Sequence, residues 1–422
     1  MPKDGSYKMR PMTTRTHDVV VFGATSFVGQ ILSRYLLDEF GVDGSLRWAA
    51  AGRSAAKLES LRASLGRGAD KLQLLQADAA DEAALRKLCK NARVIVSTVG
   101  PYALYGEPLV RVCAETGTDY CDLTGEVQWM RRMIQKYEAA ARDSGARIVH
   151  NCGFDSIPSD LGVHFLQREA RARFGAPCTT VKMRVRSMRG GFSGGTVASL
   201  LNVLKEVQAN PGLRKELADP YAICPPGRVR KVRQANVGFA EYDADFDAWV
   251  APFVMSAINT RVVHRTNALE NDAYGPDFRY DEAVMTGRGL KGRFTATATG
   301  AGLGAFMVAG AVGPVRGLLE KYVLPAPGEG PSPEAQRKGG FDLRFHGRTA
   351  AGEVLRARVT GDRDPGYGST AKMLGQAAAC LADDVPRKDK PGGFWTPAAI
   401  FGDRLIDRLQ AHSGLRFELL DR

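Results

Sequence analysis

The sequence has few of the residue patterns that mark disulfide-bonded, zinc-binding or nucleic-acid-binding proteins. Its seven cysteines are widely spaced, their number is odd, and no C-x-x-C pair occurs. The histidines form no H-E-x-x-H motif, and no zinc finger, RNA-recognition signature or basic zipper is present. This cysteine usage argues against a disulfide framework and fits a reducing compartment. We therefore expect a cytoplasmic protein that binds neither a metal nor nucleic acid.

Further absences narrow the class of protein. No internal repeat occurs, which excludes a solenoid or a propeller. Residues 1–16 lack the apolar stretch of a secretory signal, so we expect a disordered leader there. The composition, 44% hydrophobic and 25% charged, excludes a disordered chain, a collagen-like fibre and a multi-span membrane protein.

The charge balance is basic. The chain has 58 Lys and Arg against 46 Asp and Glu, a formal net charge of +12. This excess favours acidic partners such as phosphorylated cofactors, anionic membranes or acidic carrier proteins. The densest basic cluster is a candidate docking site for an acyl carrier protein, with a solvated face as the alternative. It consists of Arg228, Arg230, Lys231 and Arg233.

Strand and helix patterns alternate along residues 17–150. Six short runs of mostly aliphatic residues end at turns, and a stretch of helical length follows each of the first five. The predicted strands cover residues 18–22, 46–51, 71–76, 93–99, 120–123 and 147–150. This alternation predicts βαβ units, and hence an α/β fold with a Rossmann-type, doubly wound parallel sheet.

The turn after the first predicted strand carries a dinucleotide-binding pattern. Gly23 and Gly29 stand where glycine allows the tight turn and the close packing of helix on strand, and Ser26 replaces the middle glycine. A serine still offers an amide and a hydroxyl to a phosphate at a helix N-terminus. We expect a cofactor pyrophosphate here, with a tight turn of no binding function as the alternative. The predicted contacts are Gly23, Ala24, Thr25, Ser26, Phe27, Val28 and Gly29.

The end of the second predicted strand indicates which cofactor binds. Sites for NAD usually place an acid there, whereas this chain has Arg53, followed by Ser54 and Lys57. Arginine forms paired hydrogen bonds with phosphate, so the pattern favours NADP(H), in the reduced form NADPH, over NADH. Asp78, at the end of the third strand, is placed to contact the adenine or to precede a helix as a cap.

The fourth predicted strand leads to the nicotinamide side of the site. Ligands of doubly wound sheets bind at the carboxyl ends of the strands, so Thr98, Val99 and Gly100 are predicted cofactor contacts. Tyr102 and Tyr105 follow in the same loop. Tyr102 is a further candidate contact of the cofactor.

Three longer segments resemble a known family. They are VGPYALYG at residues 99–106, GTDYCDLTGE at 117–126 and CGFDSIPSDLG at 152–162. The chain resembles the saccharopine dehydrogenase-like oxidoreductases, and most closely the trans-acting enoyl reductases of actinobacteria. Those enzymes act beside modular polyketide synthases that lack their own enoyl reductase domain. The resemblance spans about residues 17–410, and Ser26 departs from the glycine that is common in the family.

This resemblance implies a divided architecture. The NADP-binding domain comprises residues 17–150, and an α+β substrate domain with a mainly antiparallel sheet comprises residues 151–363. Helices within residues 364–422 then return to the first domain.

Reduction of an enoyl thioester sets the requirements for catalytic residues. Hydride adds to the β-carbon, charge builds on the thioester oxygen, and an acid protonates the α-carbon. Tyr105 is the first candidate to donate to that oxygen, with packing on the cofactor or on a domain boundary as the alternative. Asp155 is a candidate acid or orienting group. Ser156 is a candidate contact of the nicotinamide amide or a helix cap.

One uncharged stretch, residues 294–315, is long enough to cross a membrane. It contains five glycines, three threonines and a proline, and it has few large aliphatic residues. The composition favours buried core. A surface that contacts lipid or an acyl chain, and a membrane span, are the alternatives.

We predict an NADPH-dependent reductase of a carbon–carbon double bond in an acyl, polyketide or lipid-like substrate. The alternatives are a reductase of an imine or alkene in a small natural product, and a nucleotide-binding protein at a lipid surface without turnover. The expected partners are an apolar acyl or natural-product substrate and, as candidates, an acyl carrier protein, a membrane surface or a second copy of the chain. We expect a cytoplasmic location, which fits these partners. The alternative is a peripheral location at a membrane or lipid surface.

Overall fold

The computed structural model describes residues 15–190, 194–227, 232–322 and 330–421. Within these residues the chain forms two seven-stranded sheets with helices packed against them. Residues 1–14 of the expected leader and Arg228, Arg230 and Lys231 of the basic cluster lie outside the described residues.

The first sheet, sheet A, is parallel throughout, with the strand order β13-β6-β5-β4-β1-β2-β3. Its strands are β1 (His17–Phe22), β2 (Trp48–Gly52), β3 (Gln73–Gln76), β4 (Ala92–Ser97), β5 (Asp119–Asp122), β6 (Arg147–Val149) and β13 (Gly393–Trp395). Val19, Val20 and Val21 are fully buried because helices cover both faces. The predicted Rossmann-type sheet is confirmed, and its crevice lies at the carboxyl ends of β1 and β4.

Six helices follow the strands of this sheet. They are α1 (Phe27–Phe40), α2 (Ala55–Leu65), α3 (Glu82–Asn91), α4 (Tyr102–Tyr105), α5 (Glu107–Thr116) and α6 (Val127–Ser144). Helices α1, α2 and α3 begin where the side chain of Ser26, Ser54 or Asp81 accepts a hydrogen bond from the backbone amide three residues later. These side-chain caps explain why the three helices begin directly after the turns that end β1, β2 and β3.

The second sheet, sheet B, has the order β14-β12-β11-β7-β10-β9-β8 and is antiparallel except between β7 and β10. Its strands are β7 (Cys178–Arg189), β8 (Glu241–Asp243), β9 (Ala248–Pro252), β10 (Arg279–Gly287), β11 (Gly340–Thr349), β12 (Val354–Gly361) and β14 (Arg416–Leu419). The expected mainly antiparallel sheet is confirmed.

The remaining helices cover sheet B or join the two sheets. They are α7 (Ile157–Phe174), α8 (Gly194–Ala209), α9 (Leu213–Ala218), α10 (Ser256–Leu269), α11 (Gly289–Ala311), α12 (Gly313–Tyr322), α13 (Pro333–Lys338), a π-helical turn (Pro365–Ser369), α14 (Thr370–Asp383), α15 (Pro397–Phe401) and α16 (Asp403–His412). Helix α7 packs on β11 and β12, and α10 packs on β10 and α7.

The C-terminal residues return to both sheets, and they contribute strands as well as the expected helices. Helix α14 packs against α1, β4 and β5, while β13 extends sheet A beside β6 and β14 extends sheet B beside β12. Strand β13 has three residues, which is too short for its pattern to show in the sequence. The domain boundaries at residues 150 and 363 stay predictions.

The stretch at residues 294–315 is not buried core, so the favoured prediction was wrong. It lies in α11 and α12, and only 17% of the apolar window within α11 is buried. Small residues of α11, namely Gly292, Ala296 and Gly300, face the protein, which leaves its larger side chains exposed. Within the described residues, α11 is the one helix long and apolar enough to cross a membrane.

Candidate active site

A cavity of about 1900 Å³ lies at the carboxyl ends of the strands of sheet A. The residues that follow β1, β2, β3 and β4 line one part of it, and it continues to Met188 of β7 and Val254 after β9. This is the crevice in which ligands bind to doubly wound sheets. The cavity therefore joins the predicted cofactor site to side chains contributed by the sheet B region.

The two glycines of the turn after β1 are required by its geometry. Gly23 has a φ of +86°, and a Cβ there would lie 2.6 Å from Val99 Cγ2. A Cβ on Gly29 would lie 2.2 Å from the carbonyl oxygen of Gly23. Gly23 lines the cavity, whereas Ala24 and Gly29 lie behind the turn and do not. Ala24 and Gly29 therefore shape the turn without facing a ligand.

The sequence predicts that the Ser26 hydroxyl is offered to a phosphate. In the structure this hydroxyl is instead bonded within the turn and stabilises it. It accepts a hydrogen bond of 3.0 Å from the Gly29 amide and shares one of 3.0 Å with the Thr98 hydroxyl. Within the part of the chain that the structure describes, the amides of Thr25, Phe27 and Val28 have no acceptor. Free amides at the start of a 14-residue helix form an anion site, so the turn fits a pyrophosphate.

Two cations stand at the other end of this cofactor cleft. Arg53 and Lys57 are exposed, line the cavity, and form no ion pair with any described acid. Ser54 caps α2 and lines the cavity beside them, and Ser60 and Ser64 on α2 add hydroxyls that the sequence did not indicate. The Ser60 and Ser64 hydroxyls donate to the carbonyl oxygens of Ala56 and Leu61, so the positive charge of Arg53 and Lys57 is the feature that a 2′-phosphate requires.

Asp78 lies on the rim of the same cleft. It lines the cavity after β3, and its carboxylate accepts a hydrogen bond of 2.9 Å from the Ala80 amide. The cap of α3 is Asp81, so Asp78 is not the residue that begins this helix. Its predicted contact with the adenine stays a prediction.

Tyr102 is buried beneath the part of the cavity where the sequence predicts the nicotinamide. Thr98, Val99 and Gly100 line the cavity there. The Tyr102 hydroxyl donates to the carbonyl oxygen of Ser97 at 2.9 Å and accepts from the Leu123 amide at 3.1 Å. Burial raises its pKa well above the usual value. Its hydroxyl is therefore committed to the backbone, and only its ring faces the cavity.

Tyr105 projects at the mouth of the cavity, and Glu126 holds the turn that carries it. The Tyr105 side chain is 51% exposed and lines the cavity. The fully buried Glu126 carboxylate accepts hydrogen bonds from the amides of Tyr102 at 2.8 Å and Ala103 at 2.9 Å, and from the Ser199 hydroxyl at 3.0 Å. Glu126 thus ties the loop after β4 to α8 on the opposite wall.

Replacement of Glu126 tests this connection. Glu126→Ala leaves the amides of Tyr102 and Ala103 without their acceptor, so we expect the free energy of unfolding to fall by about 2–4 kcal/mol. Urea denaturation followed by circular dichroism measures the change. Glu59→Ala removes an exposed carboxylate that pairs only with Arg62 and serves as the control, with an expected change within about 0.5 kcal/mol. Equal effects of the two substitutions would contradict the role of Glu126.

Asp155 presents a carboxyl group to the cavity without a partner. It follows β6, is partly exposed, and forms no hydrogen bond or ion pair with any residue that the structure describes. Burial raises its pKa to about 7, with a smaller contribution from the charge of Asp122. Asp122 is itself fully buried and bonded to His150 Nδ1 at 2.7 Å. Asp155 can therefore hold a proton near neutral pH and release it into the cavity.

Ser156 does not reach the cavity, so its predicted contact with the nicotinamide amide is not supported by its position. Its side chain is fully buried, its hydroxyl donates to Asn259 Oδ1 at 3.0 Å, and it makes no capping bond to α7. Asn259 in turn donates to Ser159 at 3.1 Å and Glu282 at 2.9 Å. This buried polar network draws the hydroxyl away from both predicted roles.

The other half of the cavity is mostly apolar, and no local sequence signal marks it. Its side chains come from distant elements that only the fold brings together. They are Met188, Leu200, Val203, Leu217, Val254, Met255, Ile258 and Met307. Such a lining excludes water and fits an extended apolar ligand.

Tyr367, in the π-helical turn before α14, lines the cavity and packs against the start of α1. The Tyr367 ring meets that of Phe27 edge to face at 4.8 Å, and its hydroxyl accepts a hydrogen bond of 2.8 Å from the Gly194 amide. Both Asp364 carboxylate oxygens accept amide hydrogen bonds, from Tyr367 and from Gly368. The π-helical turn that carries Tyr367 thus joins the start of α1 to the start of α8.

Comparison with known proteins identifies relatives over most of the chain. Residues 19–149 match the family model of the saccharopine dehydrogenase NADP binding domain. A Mycobacterium tuberculosis protein, provisionally named a trans-acting enoyl reductase, is 40% identical over 417 residues, 94% of this chain and 96% of that protein. A trans-acting enoyl reductase of Mycobacterium ulcerans is 36% identical over 419 residues, with the same shares covered.

A solved structure supports the same fold. Apo saccharopine dehydrogenase (L-Glu forming) from Saccharomyces cerevisiae superimposes with a TM-score of 0.55 at 11% identity. The match covers 96% of this chain and 100% of that one. At this identity the likeness shows a shared arrangement of the two sheets.

Proposed function

Since the chain belongs to the saccharopine dehydrogenase-like oxidoreductases, with trans-acting enoyl reductases as close relatives, we propose that it reduces a carbon–carbon double bond in an acyl thioester. Membership of this family makes it an NADP(H)-dependent oxidoreductase, as the sequence predicted. The substrate, the preference for NADPH and the roles of individual residues are the proposed parts.

The cofactor cleft supports NADPH over NADH. Arg53 and Lys57 carry positive charge that no described acid neutralises, and no acid stands at the end of β2 to hold a ribose hydroxyl. The free amides of Thr25, Phe27 and Val28 would hold the pyrophosphate. When bound, NADPH supplies the hydride that the reduction needs at the β-carbon.

The side chains of the cavity supply the rest of the chemistry. As the β-carbon gains hydride, negative charge develops on the thioester oxygen, and the Tyr105 hydroxyl donates a hydrogen bond to it. The Asp155 carboxyl then gives its proton to the α-carbon, so that the double bond becomes a single bond. The apolar half of the cavity holds the acyl chain and excludes water.

One observation carries the proposal: Asp155, whose carboxyl has no partner among the described residues, lines the same cavity as the amides at the start of α1 that have no described acceptor. A carboxyl of this kind is costly to bury, since it gains no hydrogen bond in return. This free-energy cost is accounted for if the Asp155 carboxyl acts on a bound ligand. A raised pKa near neutrality adds to the case for an acid.

The reductase rate should depend on the proton of Asp155. Its pKa of about 7 exceeds the usual value of a carboxyl, so the acid form prevails below pH 7 and is lost above it. We expect kcat to fall about tenfold for each pH unit well above 7. Steady-state rates at saturating substrate across this range measure the profile. A kcat that is level through neutral pH, or that rises, would rule out Asp155 as the rate-limiting acid.

Turnover assays with different unsaturated substrates test the reaction itself. We expect the purified chain to oxidise NADPH in the presence of 2-enoyl thioesters and to leave the matched saturated thioesters unchanged. Reduction of imines or isolated alkenes without reduction of enoyl thioesters would favour the small-natural-product alternative. Tight NADPH binding without turnover on any substrate would favour the non-catalytic alternative.

A further inference from the structure

Helices α11 and α12 expose an apolar face that is unusual for a protein surface. The apolar face consists of the large side chains that these helices leave uncovered. They are Leu290, Phe294, Met307, Val308, Val312 and Val315. Leu290 is 84% exposed, Phe294 75% and Val308 67%. Single exposed apolar residues are ordinary, but five on two consecutive helices and a sixth, Val312, between them indicate a surface that contacts something.

Among the residues that the structure describes, no element covers this face. Helix α11 packs on β9 and β10 near its start and on α8 near its end. The contacts are made by small residues: a Cβ on Gly300 would lie 3.0 Å from the Phe239 ring, and one on Gly310 would lie 2.6 Å from Leu204. The helix thus places Leu290, Phe294 and Val308 on its outer side, where exposed threonines are its uncharged polar residues. Large apolar side chains on the outside of a helix suit a surface that meets a nonpolar phase.

The charged residues that the chain carries between positions 283 and 319 are all positive, although Glu320 of α12 and Asp247, which pairs with Arg288, lie close by. Residues 283–319 contain no Asp or Glu. Arg288, Lys291 and Arg293 stand near the start of α11, and Arg316 lies in α12. Arg288 pairs with Asp247 at 2.7 Å and Arg293 lies over the Trp249 ring, whereas Lys291 has no partner among the described residues. Apolar side chains edged by cations match the surface of an anionic bilayer.

The shape of the face favours a membrane over a small acidic protein. Its apolar side chains are spread along both helices, and α11 alone is about 34 Å long at 1.5 Å per residue. Because α11 packs on β9, β10 and α8, we expect it to lie along a membrane surface and not to cross the bilayer.

The apolar face is also continuous with the cavity. Met307 is 36% exposed on the apolar face and lines the cavity as well. Leu200 and Val203 of α8 line the cavity beside it, and Leu201 and Leu204 of the same helix lie against Gly310 of α11. An acyl chain in the apolar half of the cavity would therefore emerge next to the exposed face.

We propose that the apolar face docks the protein on an anionic membrane, with α11 lying in the interface and the part of the cavity lined by Met307 next to the lipid. An acyl substrate then enters from the bilayer without crossing water. This route for the substrate rests on the proposed function, whereas the docking does not.

Co-sedimentation of the full chain with vesicles tests the docking without any turnover. We expect the chain to sediment with vesicles that contain phosphatidylglycerol and far less with phosphatidylcholine alone. The triple variant Leu290→Gln, Phe294→Gln, Val308→Gln should bind about tenfold or more weakly, and Lys291→Glu about fivefold or more weakly. Val354→Gln, which changes a 38% exposed valine on β12, is the matched control and should bind as the parent chain does.

Other outcomes would overturn the proposal. The chain could stay in the supernatant with both vesicles, or the triple variant could sediment as the parent does. If the chain binds a purified acyl carrier protein but no vesicles, the apolar face is a docking site for that protein and not for a membrane. A dimer that the triple variant abolishes, with no vesicle binding, assigns the face to a second copy. If the parent chain binds the vesicles but reduces no enoyl thioester, the proposed function is rejected and the docking proposal stands.

Discussion

Asp155→Asn is expected to lower kcat for an enoyl thioester by ~100- to 10,000-fold, the usual contribution of a positioned general acid. The amide matches the carboxyl in shape but holds no proton that it can release, so binding of cofactor and substrate should change little. The variant should also lose the fall of kcat above pH 7. Steady-state kinetics with separate kcat and KM values measure both effects.

Two controls make this result specific. Asp143→Asn changes an exposed carboxyl on α6 and should leave kcat unchanged. The amide introduced by Asp155→Asn carries no charge that burial would penalise, so the midpoint of thermal unfolding should not fall. A parental kcat in Asp155→Asn would remove Asp155 from the reaction. Tyr105 lines the cavity and its hydroxyl bonds to no described residue, so it would be the next candidate acid.

The second large effect is expected at the cofactor. Arg53→Ala should weaken NADPH binding by about 10- to 100-fold, since a hydrogen bond to a charged group contributes about 1.5–3 kcal/mol. The Kd of NADH should stay the same, because NADH lacks the phosphate that Arg53 would contact. Titration followed by tryptophan quenching measures both dissociation constants.

The comparison of the two nucleotides is what makes this test specific. Arg62→Ala removes another arginine of the same segment, which pairs with Glu59, and serves as the control with both Kd values unchanged. Lys57→Ala should have a smaller effect in the same direction. An equal loss of NADH and NADPH binding in Arg53→Ala would indicate damage to the turn, and no loss would place the phosphate elsewhere.

The part of the cavity that is lined by residues after β1, β2 and β4 could be predicted because its signals are local. The Gly23–Gly29 spacing, the β-branched run of β1 and the position of Arg53 after β2 all lie within short stretches of sequence. Their meaning follows from backbone geometry, as the contacts of a Cβ on Gly23 or Gly29 illustrate. The role of Ser26 was only half visible, since its bond to Thr98 spans 72 residues.

The apolar half of the cavity could not be predicted because it is assembled from distant residues. Met188, Val254 and Tyr367 converge on the cavity from separate elements, and no motif marks any of them. Ser156 looked like a ligand contact or a cap until Asn259, 103 residues away, proved to be its partner. The exposure of α11 was missed for a related reason: composition shows that a helix is apolar but not whether other elements cover it.

Isotope transfer from labelled cofactor tests the central claim most directly. The chain is incubated with NADPH that carries deuterium on the transferable position and with a 2-enoyl thioester, and the product is analysed by mass spectrometry and NMR. The account predicts a saturated thioester with one deuterium on the β-carbon and one solvent proton on the α-carbon. Deuterium at any other position, or cofactor consumption without a saturated product, would contradict it.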